Sequence, residues 1–188
     1  EATATVDGRI DRIQIKTPDD FTPPPGGLNI RLGDQALTKE ARLHDFKRPA
    51  ILAFARANGF DRIVTSGGAS PRVGIITTGK SFGDTMQALA DLGIDERVAR
   101  DIGLRVYKVA MSWPLEPQGA RRFAEGLEEI LVVEEKRQLI EYQIKEELYT
   151  WKEGERAPRV VGKFDDNGEW SRAEGQPAGT WLLPAHYE

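Results

Sequence analysis

The residues whose types and spacing suit chemistry best lie between Gly74 and Asp84. Gly74, Gly79, Lys80 and Ser81 satisfy G-x-x-x-x-G-K-[ST], the pattern of a loop whose backbone amides cradle phosphates while its lysine reaches them. The same letters support a second reading. Val73, Ile75 and Ile76 supply the apolar run of a buried strand, Gly79 permits a tight turn, and Ser81 with Asp84 spells a capping box. The two readings compete, because a nucleotide loop would pull Ile75 and Ile76 out of a core. Burying each contributes about 1.5–3 kcal/mol, so the strand is the cheaper arrangement. An autonomous nucleotide-binding enzyme using Lys80 stays as the alternative. On both readings a helix N-terminus beside Lys80 favours an anion.

Other candidates are few. The chain has no cysteine, which excludes a disulfide, a thiol nucleophile, an iron–sulfur cluster held by this chain and every cysteine-containing zinc site. His44 and His186 are far apart and neither has a second histidine at i+3 or i+4, so no metal site is expected. Glu134 and Glu135 invite an acid/base pairing, but neighbouring strand-end side chains point apart. Thr78 to Gly83 lacks the G-x-G-x-x-G spacing of a dinucleotide fold.

The elements that must position these residues alternate. Arg9 to Ile15 reads as a short edge strand, and Thr22 to Gly27, with three prolines, as a polyproline-like arm ending in a turn. Thr38 is a candidate cap for a helix that Pro49 interrupts and Gly59 ends. Strands are expected at Arg62–Val64, Arg72–Thr78, Leu104–Ala110, Ile130–Val133 and Arg159–Gly162. Helices fall between them, with Phe82, Met86 and Leu89 as the apolar positions of one, Asp95 capping another, and Pro117–Ala124 and Gln138–Leu148 as the last two. This order predicts βαβ units and a mostly parallel sheet covered on both faces. The strand C-termini then share a rim carrying Thr77–Ser81, Met111–Pro114 and Glu134–Arg137, where ligands of open α/β sheets bind. Gly79, Lys80, Ser81, Lys136 and Arg137 are the candidate anion or coenzyme A residues. Trp113 is expected in an interface or core.

The chain's 188 residues, 39% hydrophobic and 30% charged, suffice for one core with extensions. We divide it into an arm with packing helices (1–60), an α/β domain (61–165) and a linker (166–188). A net charge of −4, with basic residues interspersed among acids, gives no nucleic-acid footprint. No apolar run approaches the ~20 residues of a membrane span, and a cytoplasmic location is expected. The start at Glu1 and the lack of a capped final element suggest a piece of a longer polypeptide.

Several separated blocks, taken in order, resemble indolepyruvate ferredoxin oxidoreductases. They are Gly74–Lys80, Gln87–Ile94, Tyr107–Val109, Trp113–Pro117, Ile130–Arg137 and Arg159–Lys163, with Gly26–Ile30 and Phe54–Gly59 before them. Phe82 departs from the Tyr frequent in that family. The family comprises thiamine-diphosphate-dependent 2-oxoacid oxidoreductases that convert aryl pyruvates to acyl-CoA and pass electrons through iron–sulfur clusters to ferredoxin. This chain is similar to the middle domain, which implies a fold like the transketolase C-terminal domain. That fold is a three-layer α/β/α sandwich of five strands in the order 1-3-2-4-5, the first antiparallel. No Gly-Asp-Gly motif followed by Asn is present to hold Mg²⁺ and diphosphate. The resemblance therefore implies a non-catalytic domain that binds none of these cofactors itself. Its implied partners are the other domains of a homo-oligomeric parent, with ferredoxin as the parent's electron acceptor.

Overall fold

A computed structural model describes residues 7–9, 11, 14–135, 137–152 and 154–163. The chain divides into two units, Glu1–Phe60 and Asp61–Glu188.

In the second unit, apolar alternation becomes a five-stranded sheet: β1 (Arg62–Ser66), β2 (Val73–Thr78), β3 (Leu104–Val109), β4 (Glu129–Val133) and β5 (Arg159–Val161). The strand order is β1-β3-β2-β4-β5, with β1 antiparallel to β3 and the other pairs parallel. This is the order and sense implied by the transketolase-like resemblance. The intervening helices are α3 (Gly79–Asp91), α4 (Glu96–Ile102), α5 (Pro117–Ala124) and α6 (Ile140–Tyr149). Side-chain alternation sorts them into layers. Ile75 and Val106 pack with Leu89 of α3 and Ala99 of α4. Ile76, Tyr107 and Ile130 face the other way, onto Phe123 of α5 and Ile140 and Ile144 of α6. The result is α/β/α with two hydrophobic layers.

Local signals explain the boundaries. Asp95 caps α4 by accepting the Val98 amide at 2.7 Å, and Gly103 closes it in the left-handed region at φ 72°. Glu116, before Pro117, caps α5 by accepting the amides of Gln118 and Gly119 at 3.1 and 2.6 Å.

Gly74 settles the nucleotide-loop alternative. It lies inside β2, paired with Arg105 and Ile130, and a Cβ there would meet Leu127 Cδ1 at 2.5 Å and Phe123 Cζ at 2.7 Å. Ile75 to Thr77 are buried strand residues, so no phosphate loop exists and that reading is overturned. The expected capping box is corrected too. Thr78 occupies the N-cap position, Ser81 is buried within α3, and Asp84 pairs with Lys80 instead of a backbone amide. The fully buried positions of α3 are Ser81, Thr85 and Leu89, whereas Phe82 and Met86 are half-buried.

The first unit is built differently. The arm runs through Pro23–Pro25 into a turn in which the Gly27 amide donates to the Pro24 carbonyl at 2.9 Å. Then follow α1 (Ala36–Arg42), a π turn (Leu43–Lys47) and α2 (Arg48–Asn58). The helix begins after Gln35, so Thr38 sits inside it and does not cap it. Pro49 follows the π turn directly, and such a local irregularity is where a continuous helical run accommodates a residue without an N–H. Gly59 ends α2 at φ 60°. Of the predicted strand at Arg9–Ile15, Ile10, Arg12 and Ile13 lie outside the described residues, and Gln14 and Ile15 are not in a strand. The linker 166–188 and His186 also lie outside them.

Candidate rim site

The parallel pairing of β2, β3 and β4 brings their three C-terminal loops to one edge of the sheet. In the first loop, Gly79 adopts φ 56°, a conformation glycine takes without strain, and the chain turns into α3. Thr78 donates its hydroxyl to the Val109 carbonyl at 2.9 Å, so α3 begins without a side-chain cap. Lys80 donates to Asp84 at 2.5 Å across one helical turn, both side chains being about half exposed. That carboxylate holds the Lys80 ammonium above its ordinary range, and the Glu135 charge adds to the effect. Ser81 is buried, and its carbonyl accepts the Thr85 hydroxyl at 2.7 Å. Phe82 lies beneath Lys108, whose ammonium is 4.4 Å from the ring centre.

In the third loop, Glu134 is no acid/base partner of Glu135. Its carboxylate accepts the amides of Leu139, Ile140 and Glu141 at 2.9, 2.8 and 3.0 Å and so starts α6. Burial pushes its carboxyl up, against the opposing pull of those amides. Glu135 is exposed, as is Arg137, which has a partner of its own, and Lys136 lies outside the described residues.

The middle loop is braced from below by residues that spacing alone does not single out. Gln143 accepts the Leu115 amide at 2.7 Å and donates to the carbonyls of Ser112 and Leu139 at 2.8 and 2.9 Å. Asp61 accepts the amides of Ala110 and Met111 at 2.7 and 3.1 Å, and burial pushes its carboxyl above the usual range. Trp113, 56% exposed, stands on this loop at the surface, not in the core. Glu116, which caps α5 where this loop ends, left a local signal as an acid directly before a helix-starting proline. Asp61 and Gln143 act at sequence separations of about 50 and 28, where no local pattern exists.

Chemically, much of the rim's polar surface serves the fold, while the buried Asp61 Oδ2 and Thr77 Oγ1 have no hydrogen-bond partner among the described residues. Both Glu134 oxygens are taken by amides and the Asp84 carboxylate by Lys80. Among the described residues no group of three or more histidine or carboxylate side chains is placed to hold a metal ion, so nothing in the described rim marks a magnesium–diphosphate site.

The family model described as the indolepyruvate ferredoxin oxidoreductase middle domain matches residues 62–188. A search of curated proteins found no match. Among solved structures, a split-gene transketolase, an inactive beta4 tetramer, is similar at 20% identity and a TM-score of 0.42, covering 57% of this chain and 33% of that one. A 2-oxoglutarate:ferredoxin oxidoreductase from Magnetococcus marinus, with 2-oxoglutarate, coenzyme A and succinyl-CoA bound, is similar at 19% identity and a TM-score of 0.44. It covers 71% of this chain and 21% of that one. This chain spans about a third or less of the length of either structure.

Proposed function

The chain belongs to the family of indolepyruvate ferredoxin oxidoreductase middle domains, and on that premise we propose that it is a non-catalytic packing and interaction domain of a 2-oxoacid:ferredoxin oxidoreductase. In this reading the parent is a cytoplasmic homo-oligomer that oxidatively decarboxylates aryl pyruvates to acyl-CoA and reduces ferredoxin. Its other domains hold thiamine diphosphate, Mg²⁺ and the iron–sulfur clusters, and this domain on its own is inactive. The observation that supports a non-catalytic role is that the rim's charged groups mostly serve the fold: Lys80 pairs with Asp84, Glu134 accepts three amides, and one Asp61 oxygen accepts two. The coding sequence on either side tests the reading. It should encode a Gly-Asp-Gly motif followed by Asn and cysteine motifs for clusters, and flanks lacking both would overturn it.

A second reading makes the rim a dock for an anion such as coenzyme A, at Gly79, Lys80, Ser81, Lys136 and Arg137. The uncapped start of α3 favours it, and the Lys80–Asp84 pair opposes it, since the ligand must displace Asp84. Coenzyme A titrated while the melting temperature is followed separates the two, because a ligand bound by the native state raises that temperature. A salt-sensitive rise, lost in Lys80→Ala/Lys136→Ala, supports docking. The packing reading expects no rise.

A further inference from the structure

The N-terminal unit, outside the segment matched by the family model, contains a cleft of about 510 Å³ between the arm and α2. Phe21, Leu28, Ile51 and Phe54 supply most of its apolar wall, and among its nine lining residues only Lys47 carries a charge. The space is a groove open to solvent on one side, not a void sealed inside the unit. Its size and its apolar wall with one placed polar group are those of a small-molecule site.

Named contacts keep the cleft open. At one end the Asn58 side chain accepts the Lys16 amide at 2.8 Å and donates to the Lys16 carbonyl at 3.0 Å. Beside it Arg56 holds Asp20 at 2.5 Å. At the other end Arg42 donates to the Gly27 carbonyl at 3.0 Å. Between these anchors the run Pro23–Pro25 is stiff and extended, which stops the arm from sagging onto α2.

Charge specifies the occupant. Lys47 also lines a neighbouring recess of about 110 Å³, together with Arg31, Asp34, Lys39 and Arg42. The single acid there, Asp34, lies 3.8 Å from Arg42, which leaves a cationic surplus. Among the described residues the Lys47 ammonium has no ion-pair or hydrogen-bond partner. A cation left unpaired beside an apolar wall gains from an anion placed against it.

We propose that this cleft binds an amphipathic carboxylate, with an acyl or aryl body against Phe21, Leu28, Ile51 and Phe54 and its carboxylate at Lys47. The site is independent of the rim and of the function proposed above.

Calorimetric titration of the 188-residue chain with octanoate, 1-octanol and acetate tests it. Octanoate should bind saturably at one site and acetate should not. Lys47→Ala should weaken octanoate about tenfold while leaving octanol unchanged, as expected for loss of one charge-assisted contact. Ala50→Trp, which fills the cleft from α2, should abolish both. Amide chemical shifts provide a second readout and should move at Phe21, Leu28, Ile51 and Phe54. Absence of saturable octanoate binding up to about 5 mM, affinity indifferent to both substitutions, or shifts confined to the sheet would each overturn the proposal.

Discussion

The two units are held together by different physics. The sheet unit is built by burial: Ile76, Val106, Phe123, Ile130 and Ile144 are all at 0% exposure. In the N-terminal unit the only described apolar residues as buried as that class are Ala53 and Ala55, while Ile30, Leu32 and Leu37 are 78, 89 and 79% exposed. There the geometry is kept by Asn58, Arg56 and Arg42 gripping the arm. A core fills the space that its residues enclose. Polar contacts fix a chain in place and can leave space beside it, and the cleft lies in the unit built that way.

The difference is sharpest for aromatic truncation. Phe123 is fully buried and stacks on Tyr107 with ring centres 5.1 Å apart. Phe123→Ala should cost the sheet unit about 3–5 kcal/mol. Phe54 meets Phe60 edge-on at 5.6 Å but is half-buried beside the open cleft. Phe54→Ala should cost less than half as much, since its loss leaves less of a new void. Urea unfolding followed by amide signals from each unit would compare them, and equal costs would break the contrast.

Next in size is Gly74→Val. Leu127 and Phe123 already occupy the space a Cβ needs, so overpacking should cost about 1–3 kcal/mol, read as a lower urea midpoint. A glycine in a solvent-exposed phosphate loop would not respond in this way.

The same contrast explains what the sequence made legible. Apolar runs at Val73–Ile76 and Ile130–Val133, the Asp95 cap and the Gly59 and Gly103 stops are local signals, and the elements they predict form with ends displaced by only a residue or two. Strand order was accessible through the family resemblance, not through periodicity. At the rim, spacing pointed to Gly79, Lys80 and Ser81 and missed Asp61 and Gln143, because their work is done across the fold. Thr38 misled for a related reason: a residue of capping type lies inside α1, which starts after Gln35 with no side-chain cap. The cleft had no local sequence signal at all, since its walls come from residues 17 to 54 and its defining property is the space between them.

Asn58→Ala should act on the N-terminal unit alone. It removes three hydrogen bonds, to Lys16 N, Lys16 O and Phe54 O, two of which tie the arm to α2. The expected cost is about 1–2 kcal/mol, because each contact is partly solvated and worth about 0.5–1.5 kcal/mol net at most. Hydrogen exchange should quicken in the arm and α2 while β2 and β3 stay protected; faster exchange across the sheet would show that the two units are not maintained separately.

The smallest effect at neutral pH is expected at Tyr107. Its hydroxyl is buried without a hydrogen-bond partner among the described residues, so Tyr107→Phe removes a polar group that gains nothing in the fold and should leave neutral-pH stability nearly unchanged or slightly higher. Alkali separates the two proteins. Burial, with the nearby charges of Asp61 and Glu116, raises the phenol well above its ordinary value of 10.0. Above pH 10 the unfolded chain therefore loses this proton while the folded one keeps it, and stability falls as pH rises. The native protein should lose stability between about pH 10 and 11.5 more steeply than Tyr107→Phe, measured by urea midpoints at matched ionic strength. The N-terminal unit has no tyrosine, so the substitution should leave its alkaline behaviour untouched. Parallel alkaline slopes for the two proteins would mean that Tyr107 is far better solvated than a residue sealed between β3 and α5.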